Sequence, residues 1–362
     1  QYNIATAMRQ PGSSFKPIVY ASAFSLGYTP ETVLFDVPTQ FSSLCDPYGN
    51  PRAGVKESAC YMPGNYDDVF RGPISLRDAL AQSISVPAVK LLYLTGLDNV
   101  VSVAQQMGLS TITDAARYGL SLVLGGGEIT LLELTNAYGV FANNGLYHKP
   151  QGILEVKDGD GVVLEKFSNI ESEVLSEQVA TLVSSVLSDN VARTPSYGSN
   201  SALHFGDRPV AVKTGTTNDF RDVWVVGYTP SVVVGMWGGN NDNTPIDKKV
   251  AGFVLAPIWN KAMSVAVGTS SIEYFPDLVP SSPSKPILRG EYCGENGIHT
   301  ILSSVIKKNP EGPYPSNPES DPQYYLWETS LQNWLIKNPV SCSSFDPVES
   351  TSPVSVPTTT TP

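Results

Sequence analysis

No stretch of this chain reaches the roughly eighteen unbroken apolar residues of a membrane-spanning helix, and its first residues form neither a basic leader nor an apolar signal core. Charge is scarce, at 16% of 362 residues, and acidic on balance, with a formal net charge of −11 and no basic cluster. Such a chain lacks the electrostatic footprint that binding a phosphate backbone requires, which argues against nucleic acid as a partner. Gly 30 and Pro 29 are too few for a low-complexity or collagen-like sequence, and a 41% hydrophobic content is too high for disorder. What remains is a packed globular protein, long enough for one large domain and a smaller one.

Histidine and cysteine are also scarce, at three and four residues. Cys45, Cys60, Cys293 and Cys342 have no C-x-x-C spacing, so a zinc site is disfavoured and the sequence calls for no metal and no cofactor. The four fall in two loop-rich neighbourhoods. That suits Cys45–Cys60 and Cys293–Cys342 disulfides in an extracytoplasmic protein, with free buried thiols as the alternative and three pairings open. The chain begins at Gln1 without an initiator Met, as expected of a piece of a longer precursor.

Gln10-Pro11-Gly12 breaks the chain, and FKPIVYASAFSLG then has helical spacing until Gly27. A connection rich in Pro, Gly, Asp and Tyr covers 42–73. Helical patterns follow at 75–96, interrupted by Pro87, and at 97–108. Gly125-Gly126-Gly127 precedes another amphipathic stretch, and 151–167 alternates around Asp158-Gly159-Asp160-Gly161 as a hairpin does. Residues 176–193 return to helical spacing. RPVAVKTG, DVWVVGYTP and SVVVGMWGG read as neighbouring strands, and 254–268 reads as a closing helix. Helices on both sides of consecutive late strands predict an α/β (α+β type) fold, an antiparallel sheet flanked by helices. Composition divides the chain into a domain over 1–268, a Ser/Pro-rich linker over 269–286, a small cysteine-containing module over 287–347 and a disordered Pro/Thr-rich tail over 348–362.

Ser13 and Lys16 stand three residues apart, on one face of a helix that Pro17 forces to begin near Ser13. A serine at a helix N-terminus meets a positive potential that favours a developing oxyanion, and a desolvated Lys16 would serve as base for its hydroxyl. The spacing alone is weak, since it recurs at Ser282–Lys285 and Ser304–Lys307, and a capping serine beside a solvated lysine is the ordinary reading. Lys213-Thr214-Gly215-Thr216 lies at the end of a strand-like run, where a cation, two hydroxyls and an accessible backbone N–H suit an anionic substrate end; an ordinary turn is the alternative. A second ammonium near Lys16 is expected to lower the pKa of Lys16. Ser83-Ile84-Ser85 sits inside the pattern interrupted by Pro87. The glycine run lacks the features of a phosphate cradle, and His148, His204 and His299 are too scattered for a Ser-His-Asp triad.

Ser-x-x-Lys, Ser-x-Ser in place of Ser-x-Asn, and Lys-Thr-Gly, in this order, resemble the signature of penicillin-binding proteins and serine β-lactamases. RQPGSSFKPIVYASAF, SLRDALAQSISVPAVKLL, LGGGEITLLELTNAYGVFANNG and VKTGTTNDFRDVWVVGYTP are similar to the transpeptidase domain of class A penicillin-binding proteins, over residues 1 to about 266. The resemblance implies the β-lactamase/transpeptidase-like fold, with the site between sheet and helices. It implies Ser13 as acylated nucleophile, Lys16 as its base and Ser83 as proton relay towards the leaving amine. Lys213, Thr214, Gly215 and Thr216 would hold the substrate carboxylate, and the N–H groups of Ser13 and Thr216 would form the oxyanion hole. Ser85 stands where the family usually has Asn to hold the substrate's peptide group; it is shorter, with one donor instead of two, so a weakened contact is expected.

The expected activity is acyl transfer on D-Ala-D-Ala stem peptides of peptidoglycan, with β-lactams as inhibitors. The alternatives are a serine β-lactamase, although no Glu-x-x-Leu-Asn segment is present, and a penicillin-binding sensor with impaired turnover. The resemblance further implies a cell-envelope location, an upstream membrane anchor, a glycosyltransferase domain outside this chain, and cell-wall synthesis proteins as partners. A sheet lacking its upstream strands would fold poorly on its own.

Overall fold

The structure, a computed structural model, describes residues 3–247, 251–294, 297–340 and 342. Gly12 adopts φ 56°, a single 3-10 turn spans Gly12–Phe15, and α1 runs Lys16–Ser25 with Pro17 in its first turn, where a missing N–H costs nothing. Every residue from Lys16 to Phe24 is buried, so α1 is the central rod of the helical region.

β1 (Val33–Asp36) pairs antiparallel with β2 (Gly72–Ser75), which leads into α2 (Leu76–Ala81). Ser75 caps α2, its Oγ accepting the Asp78 N–H at 3.0 Å. α3 (Ser85–Thr95) and α4 (Leu97–Gln106) follow. The interruption expected at Pro87 lies earlier. Ser83 takes φ 65° and separates α2 from α3, while Pro87 sits in the first turn of α3.

α5 (Ala115–Tyr118) precedes the glycine run, and α6 (Leu131–Ala142) opens with a capping box between Thr130 and Glu133. β3 (Leu146–His148) and β6 (Glu171–Glu173) form one two-stranded ladder. β4 (Glu155–Lys157) and β5 (Val163–Lys166) form the hairpin predicted around Asp158–Gly161. α7 (Glu177–Ser188) and α8 (Asn190–Tyr197) divide the next helical stretch.

The main sheet is β7 (Ala211–Thr216), β8 (Asp222–Tyr228) and β9 (Val233–Gly239), antiparallel and in chain order. Strand alternation sends Ala211, Trp224, Val226 and Tyr228 into the core around α1, and Val212, Val223 and Val225 into a second core. Trp259 and Met263 of α10 (Ala256–Val267) close that second face, beside α9 (Ala251–Val254). A sheet between two helical layers is the architecture the patterning predicts.

The linker 269–286 has no helix or strand before Pro286. Beyond it, β10 (Cys293–Gly294) and β11 (Gly297–Ile298) form a small ladder and α11 runs Tyr324–Lys337. Within the described part of 287–347, Ile287, Leu288, Ile301, Leu302, Leu326 and Trp327 join the core built on α1 and α3, while Ile298 and Leu331 form a smaller core with Phe35 and Val37. Trp327 packs edge-on against Phe41 and Tyr93, at 6.1 and 5.6 Å between ring centroids. The expected disulfides Cys45–Cys60 and Cys293–Cys342 are both formed. The tail 348–362 lies outside the described residues.

Candidate active site

Three chain segments meet at the turn that carries Ser13. Trp224 of β8 donates its indole N–H to Gln10 O at 2.8 Å, and Tyr138 of α6 donates its hydroxyl to Ser14 O at 2.6 Å. Ser14 turns its own hydroxyl back onto Pro11 O at 2.6 Å. Gly125 and Gly215 permit the approach: a Cβ on Gly125 would overlap the Gly12 backbone, and one on Gly215 would overlap Pro11 O. The glycine run is thus the floor beneath the serine turn, and the Lys-Thr-Gly strand is its wall. Ser14, Phe15 and Lys16 are buried, while Ser13 keeps partial exposure.

Lys16 is 0% exposed, and its Nζ donates to the carbonyls of Ser83 and Ile84 at 2.7 and 3.0 Å. Burial pushes its pKa down to about 7, with the Asp36 carboxylate pulling the other way. Both desolvation and the second lysine were expected to lower it. The structure assigns the shift in Lys16 to desolvation, and the like-charge effect falls on Lys213, which is held well below its usual range by burial and then by the charges of Lys16 and Arg193. Lys213 Nζ donates to Ser83 Oγ at 2.7 Å and to Thr214 O at 3.0 Å. Arg193, itself buried, spends its guanidinium on the carbonyls of Leu187 and Leu203. The result is a buried cationic patch beside a serine hydroxyl, suited to an anionic substrate end and to a base that sheds its proton near neutrality.

The structure brings the three motifs together. Ser13 and Lys16 share one turn, Lys16 is bonded to the carbonyls of the Ser83–Ser85 turn, and Lys213 is bonded to the Ser83 hydroxyl. Thr214 Oγ1 lies 2.8 Å from the Tyr197 hydroxyl, and Thr216 Oγ1 accepts the Ala251 N–H at 3.2 Å. Ser85 is the first residue of α3 and partly exposed.

Asn65 and Asp36 escape a reading by motif. Asn65 Oδ1 accepts the N–H groups of Ser85 and Val86 at 3.0 and 3.2 Å, and its Nδ2 donates to both oxygens of Asp36 at 2.7 and 2.9 Å. The first N–H groups of a helix have no intrahelical partner, and Pro87 has none to offer, so a single distant amide completes the cap of α3. Asp36 remains above the usual carboxylate range through burial, although the Asn65 and Arg71 hydrogen bonds lower it. Both residues lie outside any recognisable spacing; the one local signal is an Asn within a turn-rich connection.

Comparison with known proteins agrees with this geometry. Residues 1–264 match the penicillin binding protein transpeptidase domain family. Penicillin-binding protein 1A of Aquifex aeolicus is 36% identical over 305 residues, covering 81% of this chain and 39% of that protein. Its counterpart in Clostridium acetobutylicum is 35% identical over 264 residues, covering 72% of this chain and 31% of that protein. The chain therefore spans well under half the length of these curated relatives. Among solved structures, penicillin-binding protein 1A from Haemophilus influenzae superposes with a TM-score of 0.63 at 25% identity, over 77% of this chain and 45% of that one. PonA1 from Mycobacterium tuberculosis, in complex with penicillin V, gives 0.65 at 24%, over 77% and 75%. The motifs, the sheet that carries them and the family match together assign this chain to the penicillin-binding protein transpeptidase domain family.

Proposed function

We propose that this chain is a serine acyltransferase that cross-links peptidoglycan stem peptides ending in D-Ala-D-Ala, and that β-lactams acylate the same serine. The observation that supports this most directly is Lys16, one turn after Ser13, buried and held near a neutral-range pKa against the turn that carries Ser83. In this reading the Ser13 hydroxyl passes its proton to Lys16 and attacks the carbonyl of the penultimate D-Ala. The N–H groups of Ser13 and Thr216 hold the oxyanion, and the terminal carboxylate rests on Lys213, Thr214, Gly215 and Thr216. Collapse expels D-Ala, whose nitrogen takes a proton relayed through Ser83. An amine of a second stem peptide then attacks the ester and regenerates Ser13; attack by water makes the same site a carboxypeptidase.

The site lies in the cell envelope in this reading, with cell-wall synthesis proteins as partners and an anchor supplied by sequence beyond this chain. Ser85 in place of Asn favours a second reading, an acylated sensor with impaired turnover. Mapping the adduct of a labelled penicillin tests both. A long-lived ester on Ser13, lost in Ser13→Ala, together with D-Ala release from a stem peptide, is the expected result. An adduct without D-Ala release supports the sensor. Rapid hydrolysis of the penicillin would make it a β-lactamase, and no adduct, or one that survives Ser13→Ala, would reject the site.

A further inference from the structure

The hydroxyls of Ser83 and Thr214 belong to different elements, the turn between α2 and α3 and the strand β7. The phenol of Tyr197, the last residue of α8, stands between them. Its oxygen lies 2.8 Å from Thr214 Oγ1, and the Ser83 hydroxyl is near enough to favour the ionised phenol. Lys213 Nζ donates to that same Ser83 Oγ from the other side at 2.7 Å. The ring has a shaped seat: it packs on the second core, and a Cβ on Gly252 of α9 would come within 2.6 Å of its Cε1. Neither Tyr197 nor Gly252 belongs to the three motifs.

We propose that Tyr197 is a positioning residue that fixes two hydroxyl rotors at once, that of Ser83 for proton relay and that of Thr214 for the substrate's carboxylate end. The inference deepens the acyl-transfer reading and rests on it. Burial keeps the phenol protonated through the neutral range, so it always has one proton to give and lone pairs to receive. When it donates to Thr214, the Thr214 proton is turned away from the phenol and left for an incoming carboxylate. While Ser83 Oγ accepts the hydrogen bond from Lys213 Nζ, its own proton has two directions left, the leaving nitrogen and the phenol oxygen. The phenol therefore holds the relay aligned until an amine arrives to take the proton. No bond to Tyr197 is made or broken.

The expectation is specific to the two partners. With a D-Ala-D-Ala stem peptide, Tyr197→Phe lowers kcat about tenfold through Ser83 and raises KM several-fold through Thr214, the scale of one ordered hydrogen bond. Thr214→Val raises KM alone. In the double variant the KM effects do not multiply, because both changes remove the same bond, while the kcat loss persists. Gly252→Ala, whose methyl would collide with the ring and meet Thr214 Cγ2 only at an ordinary contact distance of 3.9 Å, gives a loss in the same direction and decides the matter if Tyr197→Phe does not fold. Parental kinetics in folded Tyr197→Phe or Gly252→Ala, or KM effects that multiply, overturn the proposal. A fluorescent penicillin added to the unmodified chain separates this from the underlying reading: no adduct on Ser13 rejects both, whereas a normal adduct with parental Tyr197→Phe kinetics rejects the positioning role alone.

Discussion

The side chain of Asn65 lies over the N-terminus of α3, its Oδ1 accepting the Ser85 N–H at 3.0 Å while its amide nitrogen is clamped by Asp36. The turn whose carbonyls hold Lys16 immediately precedes Ser85. Replacing Asn65 by Ala removes the cap and strips Asp36, which is 0% exposed, of a donor. A loss of about 2 kcal/mol in unfolding free energy is expected, together with acylation about tenfold slower, because Lys16 loses its fixed seat. Chemical denaturation and penicillin acylation check the two effects; an unchanged rate in a destabilised protein would show that the cap serves stability alone.

In the proposed acyl transfer, Lys16 would act as base only when uncharged. With its pKa pushed down to about 7, the ammonium predominates below that pH and the free amine above it. The acylation rate is therefore expected to rise with pH through a midpoint near 7 and then level off. Asp36 pulls this pKa upward, so Asp36→Asn moves the rising limb to lower pH. Penicillin acylation rates measured across a pH series decide, and a limb rising only near the ordinary lysine value would remove Lys16 from the role.

Ser85 stands at the mouth of α3, partly exposed, with a hydroxyl where the family's usual asparagine carries a carboxamide. Ser85→Asn is expected to raise the acylation rate by a fluorescent penicillin several-fold, through one restored hydrogen bond to the substrate's peptide group. A rate that stays level or falls would mean that this site holds its substrate by another contact.

Gly125 has φ 82° and its α-carbon faces the Gly12 backbone, where a methyl group would overlap Gly12 N. Gly125→Ala adds backbone strain to that collision and pushes the Ser13 turn off its floor. Acylation is expected to fall at least about a hundredfold, beyond the loss of any single hydrogen bond, because the nucleophile and its base move relative to Ser83. A rate near the parental value would place the serine turn under other control.

Local chemistry made much of this legible in the sequence. Pro17 dictated where α1 starts, strand-like runs marked β7, β8 and β9, and Asp158–Gly161 announced its hairpin. The three motifs singled out Ser13, Lys16, Ser83 and Lys213, and the fold brings Lys16 and Lys213 onto the Ser83 turn. Asn65, Asp36 and Tyr197 were not legible, since each reaches the site from an element whose distance in the chain carries no period. The balance of causes behind the Lys16 shift was legible only in part: desolvation was expected, and so was a contribution from the second ammonium that falls on Lys213 instead. A sequence shows which charges exist but not how much water each has lost, and for Lys16 the lost water dominates. For 287–347, cysteines and tryptophans in a loop-rich stretch do not say which core they enter.

Trp327 enters that core late in the order of the chain. It covers Lys90, whose Nζ lies 5.2 Å above the indole and donates to Phe35 O at 2.7 Å, and it touches Phe41 and Tyr93, all from segments more than two hundred residues earlier. Contacts of such separation slow folding, since a long loop must be closed before they contribute. Lys16 and Lys90 both feel the Asp36 carboxylate, so by covering Lys90 with Trp327, α11 bears on the charge balance around Lys16 from a distant element.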